Sequence, residues 1–255
     1  MARRSSPNLN GVYAKLARGQ KHLNDLEYAL ETFLKERPYR AVVEDGPNPG
    51  DYILRGKIVK RPPVYKFGVM IGDCVHNLRS ALDQLVWELG GKTSSAPRHI
   101  AFPIFWRKAG AAGFDENASR MLDGLSRPMQ DAIRAIQPYR RGRRNEPLWI
   151  LHRLWIEDKH KTVEIVQSVA DGMIIEENVT DSRLIPGPFK DGDVIATYRS
   201  SRPQTETDRD ASVLFTEAFD VKGPGRGKPL ITTLQSAEIE AVQITLKLVA
   251  IAEQA

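Results

Sequence analysis

Two stretches of the chain concentrate side chains able to move a proton, hold an anion or bind a metal. The first is Asp73, His76, Asn77, Ser80, Asp83 and Gln84, with Arg79 at its flank, on the polar side of an amphipathic helix. The second is His152-Arg153-Leu154-Trp155-Ile156-Glu157-Asp158-Lys159-His160-Lys161, in which Arg153, Glu157 and His160 share one side at i, i+4 and i+7. A face that only met water would be mostly Lys, Glu and Gln, which favour helix and cost little. Short, directional hydrogen-bonding groups instead imply that something structured lies against them.

Three chemistries fit these residues. In a metal site, Asp73 with His76 and Glu157 with His160 are two i, i+3 carboxylate–histidine pairs of the kind that line a bundle di-metal centre. Glu27 or Glu31 could add carboxylates, though nothing singles them out. In a metal-independent nuclease, His76 is the general acid/base and Arg79 stabilises phosphorane-like charge. Asp83 and Asp158 then orient, and His160 is the second acid/base. In the third reading Asp73, His76, Arg79 and Asp83 bond to Asp158 and His160 as a satisfied network that fixes helix docking and needs no chemistry. A structural or binding role outranks a catalytic one on this showing.

The run from Asp73 to Gln84, DCVHNLRSALDQ, resembles a segment of an uncharacterised bacterial protein family whose usual form is HNLRSALDH. A later DKHR-like element of that family is matched by Asp158-Lys159-His160-Lys161. The resemblance covers these two helices and loosely the first one, and implies no activity. The Arg-x-x-x-x-His spacing of the usual form is also similar to the active-site motif of HEPN-type helical ribonucleases, with Arg79 as the motif arginine. Gln84 stands at the motif's histidine position and cannot shuttle a proton, so His76 or His160 would have to substitute. This second resemblance, unlike the first, implies an activity, that of a metal-independent HEPN-like ribonuclease, degenerate at one position.

Other signals are weaker. Arg140, Arg141, Arg143 and Arg144 form a basic run beside Tyr139 that could contact phosphates. The balance of 37 basic to 32 acidic residues, +5 overall, permits an anionic partner such as nucleic acid. Lys222 to Pro229 lacks the first glycine and the Ser/Thr of a phosphate loop and reads as a turn. The single cysteine, Cys74, excludes an intramolecular disulfide and a multi-cysteine zinc site. Its place on an apolar stripe disfavours a reactive thiolate. Trp149 and Trp155 read as core, and no cofactor is legible.

These residues depend on elements the pattern outlines. With 255 residues, 41% hydrophobic and 27% charged, the composition is that of soluble globular proteins, which excludes collagen-like, wholly disordered and membrane-embedded classes. No apolar run approaches the ~20 residues of a membrane span, and no apolar segment follows the basic N-terminus as in a secretory signal. A cytoplasmic protein is expected. Apolar residues at threes and fours predict helices over 11–36, 67–89, 118–136 (broken or kinked near Pro128), 147–161 and 236–253. Strands are predicted at 39–43, 52–60, 163–169, 173–179, 194–198 and 213–221, the first two joined by the turn residues 44–51 and ended by Pro62 and Pro63. Residues 200–209 read as a polar, mobile connection. The narrow stripe of the first helix also suits a homodimer. The expected fold is α+β, long helices packed with an antiparallel sheet built mainly from 163–221. It forms one composite domain over 11–255 after a disordered 1–10.

Overall fold

The structure, a computed structural model, describes residues 7–95, 97–106, 118–141, 147–175, 177–201, 211–221 and 225–254. Among them are six α-helices and two antiparallel sheets, an α+β fold. The helices are α1 (Asn10–Lys35), α2 (Val64–Leu89), α3 (Arg127–Ala135), α4 (Pro138–Arg141), α5 (Pro147–His160) and α6 (Leu230–Glu253). The strands are β1 (Tyr39–Asp45), β2 (Asp51–Ile58), β3 (Ile165–Ile175), β4 (Val179–Leu184), β5 (Gly187–Pro188), β6 (Val194–Ser200) and β7 (Ala211–Phe219). The chain divides into two compact units, each discontinuous in sequence. A helical unit takes in residues up to 24, 70–162 and those from 233; a sheet-bearing unit takes in 25–69 and 163–232. Among the described residues no helix is long and apolar enough to cross a membrane.

In the helical unit, the stripe that predicts α2 is the stripe it buries. Ile71, Cys74, Val75, Leu78, Ala81, Leu82, Leu85 and Val86 are all sealed from solvent. Each fully buried aliphatic side chain of this kind contributes roughly 1.5–3 kcal/mol. α1 runs antiparallel to α2, with Asn8 N–H donating to Glu88 Oε2 at 3.1 Å and Lys15 Nζ donating to Asn77 Oδ1 at 3.4 Å. Asn8 is thus anchored, although it falls in the stretch expected to be disordered; residues 1–6 lie outside the described residues. The helix predicted over 118–136 is shorter than its periodicity. Gly124 adopts φ +87°, which ends the preceding turn. Pro128 then sits in the first turn of α3, where its missing N–H costs nothing, so the expected helix is broken near Pro128, not kinked there.

In the sheet-bearing unit, β1 and β2 form the predicted hairpin, in register from Tyr39↔Ile58 to Asp45↔Tyr52. β2 then pairs with β6, and β6 with β4, giving the order β1-β2-β6-β4. The remaining strands form a separate sheet, β5-β3-β7. The single sheet expected from 163–221 is therefore two, because the hairpin leaves the edge of β2 open to β6. The strands predicted at 163–169 and 173–179 are largely one: β3 continues through a bulge between Val169 and Met173. Residues 202–210, most of the polar connection, lie outside the described residues.

Glu217 on β7 is wholly buried beside an aromatic cluster, in which Tyr39, Phe189 and Phe215 have ring centroids 5.6–5.9 Å apart. The Tyr39 hydroxyl donates to Glu217 Oε1 at 2.5 Å, while Oε2 has no partner among the described residues. Burial pushes the carboxyl up to about 7, against the opposing pull of the tyrosine hydrogen bond. The same burial, with the carboxylate alongside, raises the Tyr39 hydroxyl far above its usual range.

A carboxyl raised on folding adds stability that is complete below its unfolded pKa and is lost as pH rises through the folded one. Urea unfolding should show Glu217 costing stability progressively between its ordinary value of 4.5 and about 7. Glu217→Gln keeps an acceptor for Tyr39 and removes the charge. The variant should match the wild type at pH 5 and exceed it at pH 8 by about 1–3 kcal/mol.

Candidate functional site

The polar side of α2 is divided among several partners in the helical unit. Arg79 is 3% exposed. Its Nη1 donates to Asp83 Oδ1 at 2.6 Å and its Nη2 to the Phe102 carbonyl at 2.7 Å. The same Asp83 oxygen accepts the Phe102 N–H at 2.8 Å. One turn of α2 thus reads both backbone groups of Phe102. Gln137 holds the next residues of that segment, accepting from Phe105 N–H at 2.9 Å and donating to the Pro103 carbonyl at 3.0 Å. Burial pulls the Arg79 pKa down and Asp83 opposes it. Arg79 and Asp83, expected to stabilise and orient a reacting phosphate, are instead a clamp on residues 102–105. Only Nε of the guanidinium is without a partner.

Gln84, at the position where the family resemblance places a histidine, lies against Gly11 of α1 with its Oε1 buried and without a partner among the described residues. Asn77, from the same face, donates to the Asp73 carbonyl at 2.8 Å as well as meeting Lys15.

A second cluster forms where α5 crosses α2. The Asp158 carboxylate presses on the α2 backbone so closely that a Cβ on Gly72 would lie 2.1 Å from Oδ1. Only glycine admits this contact. Desolvation raises the Asp158 pKa, Asp73 raises it further, and His76 pulls it back. Asp73, His76 and Asp158, all singled out from the sequence, therefore share a neighbourhood. His76 is exposed, with its Nε2 3.5 Å from Ser80 Oγ. His160 is also exposed and has no hydrogen-bond or ion-pair partner among the described residues, so the expected tie from His160 to the α2 network is not made. Glu157 pairs with Lys161 at 2.8 Å. The metal alternative using Asp73, His76, Glu157 and His160 does not assemble: among the described residues no three His, Cys, Asp or Glu side chains gather as a metal-holding group. Cys74 is buried, and burial with Glu238 nearby pushes its thiol up to about 12, as its apolar position implied.

What sequence reading missed lies on α5. Trp149, His152 and Trp155 recur at i, i+3 and i+6, and their rings form a row with centroids 5.6 and 5.8 Å apart. Trp106 extends it, stacked on Trp149 at 5.3 Å with planes 15° apart. These side chains are half-buried, so Trp149 and Trp155 are not the core residues expected; the sealed positions of α5 are Leu148, Ile150, Leu151 and Leu154. Cations attend the row. The Arg79 guanidinium lies 5.2 Å and the Lys159 ammonium 3.4 Å from the Trp155 centroid. Desolvation, then Arg79, Arg153 and Lys159, lower the His152 pKa to about 4, so the ring is neutral at pH 7. Its buried Nδ1 has no partner among the described residues. Of the basic run, Arg140 is exposed at the end of α4, the Arg141 side chain is not described, and Arg143 and Arg144 lie outside the described residues.

No family model, no curated protein and no solved structure matches the chain.

Substitutions at Asp83 test the clamp, and substitutions at Gly72 and Asp158 test the helix crossing. Asp83→Ala leaves Arg79 buried without its counter-ion, and Asp83 itself is 32% exposed. The expected loss in urea unfolding is about 2–3 kcal/mol, below that of a fully sealed pair. Asp83→Asn, which keeps the acceptor, should lose less. Gly72→Ala should destabilise through its clash with Asp158, and Asp158→Ala in the same chain should recover most of that loss. Equal losses in the single and double variants would show that the close approach is not the cause.

Proposed function

We propose that the helical unit is a binding module for single-stranded nucleic acid, with the aromatic row of α5 as its stacking platform. The observation that carries this reading is the combination of a half-buried row of neighbouring rings, stacked at its Trp106–Trp149 end, with charges of one sign. The three groups that act electrostatically on His152 are all cations. Proteins that hold single strands without reading sequence pair stacking rings with a basic track. Lys159 supplies a means of exchange. A base that takes the place of its ammonium over Trp155 releases that charge toward the adjoining phosphate. Arg140 and the net charge of +5 support the same class of partner. Catalysis is the lesser reading. Arg79 is committed to Asp83 and Phe102, and Gln84 supplies no proton relay.

The test is binding of a fluorescein-labelled uridine oligonucleotide, followed by anisotropy across a salt series. Affinity should fall as salt rises, and Trp155→Ala should weaken it roughly tenfold, the size of one lost base stack. Lys159→Ala should lower the salt dependence. Unaltered binding by Trp155→Ala removes α5 as the platform. Cleavage of the oligonucleotide that disappears in His76→Ala would favour the ribonuclease instead.

A further inference from the structure

We propose that the sheet-bearing unit holds a separate site for a small aromatic anion, a ring that carries a carboxylate or a phosphomonoester. The site is a cavity of about 280 Å³ between the last turns of α1 and the first turn of α2. Its apolar wall includes Phe33 and Phe67, which are buried and meet edge to face at 6.0 Å. Its mouth carries Lys60, Arg61 and Lys66 against one carboxylate, Glu36.

The charges there are unequally satisfied. Glu36 is paired with Lys60, whose ammonium also lies 5.9 Å from the Phe33 centroid. Arg61 and Lys66 have no hydrogen-bond or ion-pair partner among the described residues. Two uncompensated cations therefore stand at the rim of an aromatic-walled hollow. A carboxylate or phosphate suits the planar fork of an arginine, with the lysine as a second point charge. The ring of such a ligand would lie against Ala29 and Pro63, the open part of the apolar wall that the sealed Phe33–Phe67 pair backs. The volume lies at the low end for small-molecule sites, typically ~300–1,000 Å³, so the ligand is compact and single-ringed. An inorganic anion would leave the apolar wall wet, and a neutral ring would leave both cations unanswered. The two halves of the site select one molecule that carries both features.

The full chain is titrated with phenyl phosphate, benzoate, inorganic phosphate and benzyl alcohol, followed by amide chemical shifts and calorimetry. Phenyl phosphate and benzoate should bind at least tenfold more tightly than the other two, with shifts centred on residues 29–36 and 60–67. Whichever of the two is tighter distinguishes a phosphate from a carboxylate ligand. Arg61→Gln with Lys66→Gln, both on exposed side chains, should cost at least tenfold. Ala29→Leu, which fills the cavity from α1, should cost as much without altering any charge. Trp155→Ala should bind the aromatic anions as the wild type does, which separates this site from α5. Equal binding of inorganic phosphate, indifference to Ala29→Leu, or no binding at millimolar phenyl phosphate would each overturn the proposal.

Discussion

A guanidinium cannot leave water unless its charge and its donors are answered, and Arg79 is almost entirely out of water. That requirement organises much of the helical unit. Asp83 must sit one turn along α2, with its carboxylate close enough to share an oxygen between Nη1 and the Phe102 N–H. Residues 102–105 must then run past α2 with the Phe102 carbonyl aimed back at Nη2, which leaves Gln137 to satisfy the far end of the same segment. Trp155 can lie over the remaining face only because α5 crosses at that level. The residues that could have been a catalytic arginine and its orienting carboxylate are consumed in holding chain to chain.

The sheet-bearing unit solves the opposite problem. There a carboxyl is buried with a single donor, and its environment answers by favouring the neutral acid. Arg79 keeps its charge because a counter-ion is built in; Glu217 stands near the point of giving its charge up because none is. Both groups are ionisable and deeply buried. What separates them is how many hydrogen bonds the surrounding backbone and side chains supply.

The parts of this architecture that repeat were legible in the sequence. The stripes of α1 and α2, the hairpin around residues 44–51 and the α+β class all follow from periodicity and turn chemistry, which are local. The interruption near Pro128 was legible too, but the role of Gly124 in it was not, because periodicity registers apolar spacing and is blind to backbone sign. The division into two sheets depends on which edge β2 offers, a long-range choice that no local pattern records. Within the site, Asp73, His76 and Asp158 were rightly singled out as neighbours, and so was the inertness of Cys74. The role of Gly72 was hidden, since a glycine inside a helix announces nothing until the carboxylate against it is seen. Trp149 and Trp155 were visible on either side of His152 at threefold spacing, yet were read as core because they are aromatic on a helix rich in leucine. Their half-exposure is a property of what fails to cover them.

The stacked indoles of Trp106 and Trp149 have an optical consequence. Two stacked chromophores with centroids 5.3 Å apart share their electronic excitations, so wherever their transition moments are skewed within the near-parallel planes, the ultraviolet transitions split into a coupled pair of circular-dichroism bands of opposite sign. The splitting depends steeply on separation and mutual angle. It reports whether this end of the row is closed or disturbed, and the protein carries it without any added label.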